Sequence, residues 1–209
     1  MRQSSLRRLG VMGGTFDPLH WAHLVMAEEA WVQFDLATVL FIPAGQPPHK
    51  ADNPVSDAEH RYAMALLGTA DNPAFEVTRM EIEKEVPSYS VDTLRTLRTI
   101  YGEDTEIYFI LGADEALDLP KWHEAEGLPD LVTKFVTAPR PGFDMNELHE
   151  KLPTRFYDTI LPLQIAPVEI SATDLRERIA SGKPIRYLVP DAVESYIRKY
   201  GLYTEGSNR

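Results

Sequence analysis

The run from Glu106 to Leu111, Glu-Ile-Tyr-Phe-Ile-Leu, is apolar or aromatic at every position after the glutamate. A strand with one wet face alternates polar and apolar residues. An unbroken run must be buried on both faces, which is the environment of a central strand in a parallel sheet. Parallel neighbours require crossover connections, usually helices. Helical patterns stand where such crossovers are needed: Trp21–Phe34, with Leu24, Ala27, Trp31 and Phe34 on one face, then Asp57–Ala70 and Val91–Tyr101, the last ended by Gly102. Strands are expected at Leu6–Met12, Thr38–Ile42 (stopped by Pro43), Phe75–Thr78, Arg79–Lys84 and Leu131–Thr137. Closing helices are expected at Asp174–Ala180 and Asp191–Tyr200.

Strands alternating with helices predict the α/β class: a Rossmann-like, doubly wound, mostly parallel sheet with helices on both faces. The 209 residues fit a single domain, over residues 1–203, with a polar tail at 204–209. In such sheets ligands bind beyond the carboxyl ends of the strands. The segments GGTFDPLHWAH (13–23), AGQPPHK (44–50) and LGADEALDLPKW (111–122) each follow an expected strand, so they gather at one edge.

Composition removes several classes of function. The chain has no cysteine, so disulfides, thiolate metal sites and thiol nucleophiles are excluded; a reducing, cytoplasmic setting fits. A formal charge of -11 argues against a nucleic-acid partner and against a polybasic membrane patch. The opening MRQSSLRRLGVMGG lacks the apolar run of a signal peptide, and no segment approaches the ~18 apolar residues of a membrane span. Any positive field for a polyanionic substrate must therefore be local.

Two segments carry chemistry. In GGTFDPLHWAH, Gly13 and Gly14 are expected to turn the backbone sharply and let it approach a ligand, and Pro18 fixes the loop path. A helix then begins near His20 or Trp21, and its unpaired amides and positive dipole end favour a phosphate. His20 and His23 share a face of its first turn and can donate to phosphate oxygens. A metal site from Asp17, His20 and His23 is the weaker reading, because no fourth ligand stands nearby; no metal-ligating set is expected from the protein. The second segment is ISATDLRERI (170–179). Ser171 is a good N-cap, and Arg176 can reach back toward an anion at the same helix end, while Arg178 faces elsewhere.

GGTFDPLHWAH resembles the GGTFDP-x-H-x-G-H signature of the nucleotidyltransferase superfamily, with Ala22 where the family has glycine, and ISATDLR resembles its ISST-x-I-R motif. The resemblance to the nicotinate-nucleotide adenylyltransferases runs over nearly the whole chain: the PPHK loop, PSYSVDTL (87–94), the Gly112-x-Asp114 segment leading to Trp122, the RPG turn at 140–142 and the closing GLY. It implies transfer of AMP from ATP to nicotinate mononucleotide, with catalytic roles for His20, His23 and Arg176. It implies an ATP site at Gly13, Gly14, Thr15, Phe16, His20, His23, Gly112, Asp114, Ser171, Thr173 and Arg176, with the C-terminal helices 172–200 completing it. It implies an acceptor site at His49, Lys50, Ser90, Trp122, His123 and Arg140, with Trp122 stacked on the pyridine ring.

The proposed nucleophile is already an anion, so no general base is needed, and Mg²⁺ is expected to travel with ATP, held by phosphate oxygens and water. The residues alone also allow plainer roles: His49 and Lys50 as a solvated loop tip, Ser88 or Ser90 as a helix cap or anion cradle, Trp122 as core. Alternatives kept open are nicotinamide mononucleotide or pantetheine phosphate as acceptor, a non-catalytic nucleotide sensor and a metal-dependent hydrolase. Association into a homo-oligomer is also open.

Overall fold

The computed structural model describes residues 8–47, 55–84, 86–138, 145–166 and 168–204. The chain divides into two compact units, one of residues 1–13, 26–40 and 89–167, the other of residues 14–25, 41–88 and 168–209. Its strands are β1 (Arg8–Gly14), β2 (Thr38–Pro43), β3 (Phe75–Val77), β4 (Glu106–Gly112), β5 (Lys134–Ala138) and β6 (Ile160–Pro162). They lie in the order β3-β2-β1-β4-β5-β6, which winds outward in both directions from β1 and β4. Pairing is parallel at β1–β4, β4–β5 and β5–β6. The expected α/β, doubly wound architecture is thus the one formed.

In the first unit the central strands are buried on both faces, as the run at 106–111 requires. Leu9, Val11, Ile107, Phe135 and Val136 are each 0 % exposed, and the last two are chain neighbours pointing to opposite faces. Arg8 pairs in register with Glu106, and its Nε donates to the Glu106 carboxylate at 2.9 Å. Helix α1 (Trp21–Gln33) buries Leu24, Ala27 and Ala30, whereas Trp31 and Phe34 are only half-buried. Helix α3 (Ser90–Tyr101) ends at Gly102, whose φ of 88° is open to glycine at no cost. Arg98 on its last turn donates to the carbonyls of Leu131 (3.0 Å) and Glu103 (3.1 Å).

In the second unit α2 (Ala58–Thr69) starts on the Asp57 carboxylate, which accepts from Glu59 N–H at 2.8 Å. Helices α8 (Ala172–Ala180) and α9 (Asp191–Tyr200) follow the expected positions. Met64, Val193 and Ile197 are buried. Gly68 is required by contact rather than by φ: a Cβ there would sit 2.3 Å from Leu19 Cδ2 and 3.3 Å from Val193 Cγ2.

Three expectations are corrected. Arg79–Lys84 is a turn, not a strand, closed by Glu83 N–H to the Arg79 carbonyl at 3.0 Å. The Arg79 side chain is drawn to Glu59 and Glu83, which favours the turn. Residues 131–133 precede the strand, because Leu131 closes the short helix α5 (Leu128–Leu131). Besides α5, the short helices α4 (Ala113–Asp118), α6 (Met145–Lys151) and α7 (Thr154–Tyr157) and the strand β6 were not expected; each is too brief for periodicity to announce it.

Truncating Phe135 tests the core of the first unit. Phe135→Ala is expected to cost about 3–5 kcal/mol in urea unfolding, since a fully buried ring is replaced by a cavity.

Candidate active site

The loop after β1 belongs to the second unit from Gly14 onward. The expected glycine turn is corrected here. Gly13 and Gly14 are the last residues of β1 and neither takes a positive φ; the left-handed residue is Phe16, at φ 50°. Phe16 tolerates that conformation because its ring is locked in the core, 5.8 Å from Phe41 and edge-on to His23 at 5.1 Å. The Asp17–Pro18 bond is cis.

His20 immediately precedes α1, and His23 is the third residue of the helix. The His23 Nδ1 accepts the backbone N–H of His20 at 3.2 Å. This is the reach-back half of a capping box, with an imidazole in the place usually taken by Glu or Gln. Because Nδ1 is the acceptor, the proton of neutral His23 sits on Nε2, which remains a donor. The two rings stack with centroids 3.7 Å apart and 26° between planes.

Burial pushes His20 down to about 4. Burial, and then the adjacent His20, hold His23 well below the usual histidine range. The pair is therefore neutral at pH 7. A buried His20 Nδ1 has no partner among the described residues.

At the start of α1 the N–H of Trp21 donates to the Leu188 carbonyl at 3.3 Å and that of His23 to the His20 carbonyl at 3.0 Å, so two of its first amides are engaged within the protein. Ala22 is 8 % exposed, so its methyl is core packing and presents little surface to a nucleotide.

The second motif meets this loop. Ser171 caps α8, its Oγ accepting Asp174 N–H at 3.1 Å. Arg176 donates through Nη1 to the Asp17 carbonyl at 2.8 Å and through Nη2 to Thr173 Oγ1 at 3.3 Å. Arg178 turns away to the Pro184 carbonyl, as expected. Asp17 is 2 % exposed. Its Oδ2 accepts Ser56 N–H at 3.1 Å and its Oδ1 accepts the Tyr203 hydroxyl at 2.6 Å. Both oxygens of Asp17 are thus paired within the protein.

Sequence reading missed Arg61. Its guanidinium, 1 % exposed, donates to the carbonyls of Ser56 (2.9 Å), Thr15 (3.0 Å), Ala44 and Gly45 (3.0 Å). It thereby ties the loops after β1 and β2 together. The peptides it grips point their amides the other way: Gly45 N–H donates to Ser88 Oγ at 2.9 Å. Ser88 thus clamps this loop. The available signal was an arginine on the apolar face of α2, three, four and seven residues before buried Met64, Ala65 and Gly68.

The first unit carries the remaining candidates. Gly112 ends β4 and precedes α4, with Asp114 exposed in the first turn. Trp122 caps the turn Leu119–Lys121, half-buried, with Phe109 at its edge 6.2 Å away. The exposed His123 ring stacks on Tyr89 at 4.1 Å. Tyr89 is the N-cap of α3 and its side chain caps none of the first amides, while Asp92 N–H turns back to the Tyr89 carbonyl at 3.1 Å. Arg95 fastens this region by its 2.6 Å bond to Glu124, whose φ is 47°. Tyr89, Arg95 and Glu124 were not singled out from sequence. His49, Lys50, Arg140 and the RPG turn lie outside the described residues.

Comparison with known proteins gives the family and the fold. Residues 11–178 match the Cytidylyltransferase-like family. A probable nicotinate-nucleotide adenylyltransferase of Moorella thermoacetica is 49% identical over 199 residues, 94% of this chain and 91% of the relative. Another, from Thermoanaerobacter sp., is 47% identical over 94% of each chain. Among solved structures, the Plasmodium falciparum nicotinic acid mononucleotide adenylyltransferase complexed with NaAD shares the fold at TM-score 0.76 and 19% identity, over 94% of this chain and 97% of that one.

The neutral histidines set a pH dependence. His20 binds its proton near pH 6.5 when unfolded but only near 4 in the fold, so its contribution is complete above 6.5 and is lost as pH falls toward 4. Urea unfolding of the free protein should lose on the order of 3 kcal/mol from this group across that window. His20→Asn should flatten that part of the profile, and an unchanged profile would contradict the neutral assignment.

Arg61→Met takes a buried guanidinium from four carbonyls, one buried and three part-buried, and should cost about 3–5 kcal/mol in the same measurement.

Proposed function

The chain belongs to the nicotinate-nucleotide adenylyltransferase and cytidylyltransferase-like families, and from that we infer that it transfers the AMP moiety of ATP to nicotinate mononucleotide, releasing pyrophosphate and forming nicotinate adenine dinucleotide. The observation that carries the reading at residue level is the bond from Arg176 to the Asp17 carbonyl. Two motifs 159 residues apart meet there, and the histidine pair stands three residues beyond.

The reaction needs no base. An anionic phosphate oxygen of the acceptor bonds to the α-phosphorus of ATP, the bond from that phosphorus to the bridging oxygen breaks, and pyrophosphate leaves with the electron pair. Catalysis then consists of positioning and charge stabilisation.

His23 donates from Nε2 to the transferring phosphoryl group, and His20 lies stacked beside it. Neutral donors suit this step, because they need not be desolvated as cations. Arg176 faces the leaving pyrophosphate, with Ser171 and Thr173 at the start of α8, while Gly13, Gly14, Thr15 and Phe16 form the wall of the loop. Gly112 and Asp114 take ribose hydroxyls. Trp122 stacks on the pyridine ring, and the uncapped amides at Ser90, with His123, receive its carboxylate. That last pairing favours nicotinate over nicotinamide, since N–H donors select an acceptor-only group.

Mg²⁺ belongs to this reading as a partner of the triphosphate, offsetting its charge. Among the described residues no group of three His, Asp or Glu side chains is placed to grip the ion. A cytoplasmic setting belongs to the same reading. Among the described residues no helix is long and apolar enough to cross a membrane.

A pyrophosphate-release assay with ATP and each of nicotinate mononucleotide, nicotinamide mononucleotide and pantetheine phosphate tests the assignment. The highest kcat/KM is expected with nicotinate mononucleotide, and release that is faster with another acceptor would reassign the enzyme. His20→Ala is expected to lower kcat ~100-fold or more with the fold intact, as for loss of one transition-state donor.

A further inference from the structure

The end of α9 is built to send the chain inward. Gly201, at φ 62°, closes the helix, and Leu202 N–H returns to the Ile197 carbonyl at 3.1 Å. Leu202 and Tyr203 are consequently buried, at 5 % and 2 % exposed. Tyr203 itself is held at φ 65°, a conformation that non-glycine residues adopt only when their surroundings fix them. Its hydroxyl donates to Asp17 Oδ1 at 2.6 Å and lies 3.8 Å from Met64 Sδ. Burial raises the phenol pKa, so the group is a proton donor at any working pH.

Asp17 transmits this contact. Its carboxylate is fixed by Tyr203 and Ser56, and its carbonyl holds the Arg176 guanidinium at 2.8 Å. We propose that Tyr203 is a positioning residue for phosphoryl transfer: by locking the Asp17 carboxylate it fixes the carbonyl on which Arg176 is aimed and the loop that leads to His20. The proposal rests on the reading of Arg176 as a pyrophosphate-binding group.

A purely structural role for Tyr203 would move stability and activity together, so the test must separate them. Tyr203→Phe deletes one hydroxyl and leaves one oxygen of a buried carboxylate unpaired; it is expected to lower both Tm and kcat, the latter ~10-fold or more. The paired variant Asp17→Asn/Tyr203→Phe removes that charge and keeps an acceptor for Ser56 N–H. It is expected to regain part of the lost Tm, the remainder being lost because buried Arg61 gives up the field of Asp17, while kcat stays ~10-fold down, because the tether remains cut.

Direct binding of inorganic pyrophosphate should weaken ~10-fold in the paired variant, with adenosine binding unchanged. Recovery of kcat along with Tm, or unaltered pyrophosphate affinity, overturns the proposal. Wild-type protein assayed alongside keeps the cases apart: failure of its own pyrophosphate release would count against the reaction, whereas normal wild-type release with a fully active paired variant would count against Tyr203 alone.

Discussion

In the second unit, the loop after β1, the start of α8 and Tyr203 are all referenced to Asp17. Its carboxylate is buried, and a buried carboxylate is tolerable only when both oxygens are paired. Ser56 N–H and the Tyr203 hydroxyl supply those pairs. Its carbonyl, freed from any helix by the loop, accepts Arg176. One residue in the first motif thus fixes the loop, receives the second motif and takes up the end of the chain. The charge is not isolated, since the buried Arg61 guanidinium is stabilised by the negative field of Asp17. Arg61 in turn secures four carbonyls that would otherwise be stranded between loops.

The histidines solve a different problem. A protein of charge -11 that handles a triphosphate needs local donors, yet burying two cations side by side would be costly. Stacking them at 3.7 Å in a buried site keeps both neutral. The reach-back bond from His20 N–H fixes the tautomer of His23, so its donor edge is set before any ligand arrives. Preorganisation of this kind suits a reaction in which charge spreads over the transferring group. The guanidinium of Arg176 then supplies the permanent positive charge that the imidazoles do not.

Much of this was legible in the residues. The apolar run at 106–111 announced a central strand, and Asp191–Tyr200 was readable as a closing helix. The two motifs named His20, His23, Ser171, Thr173 and Arg176, and the second unit brings them to one loop and one helix start. What failed to read had physical causes. The turn at 79–84 carries ion pairs of Arg79 with Glu59 and Glu83, one of them twenty residues away, which no local period reveals. The bend belongs to Phe16 rather than to the glycines, because tertiary packing of its ring outweighs the intrinsic cost of φ 50°. Arg61 and Tyr203 resemble an ordinary helix residue and a tail residue; their roles exist only once distant carbonyls and a carboxylate surround them.

The central claim is that His20 and His23 act as neutral, preset donors beside Arg176. Nitrogen-15 NMR of the histidine side chains at pH 7, with and without a non-hydrolysable ATP analogue, tests it most directly. The account predicts two neutral rings in the free protein, His23 carrying its proton on Nε2, and a response of both rings when the analogue binds. Imidazolium signals in the free protein, or rings that ignore the analogue while it binds, would contradict it.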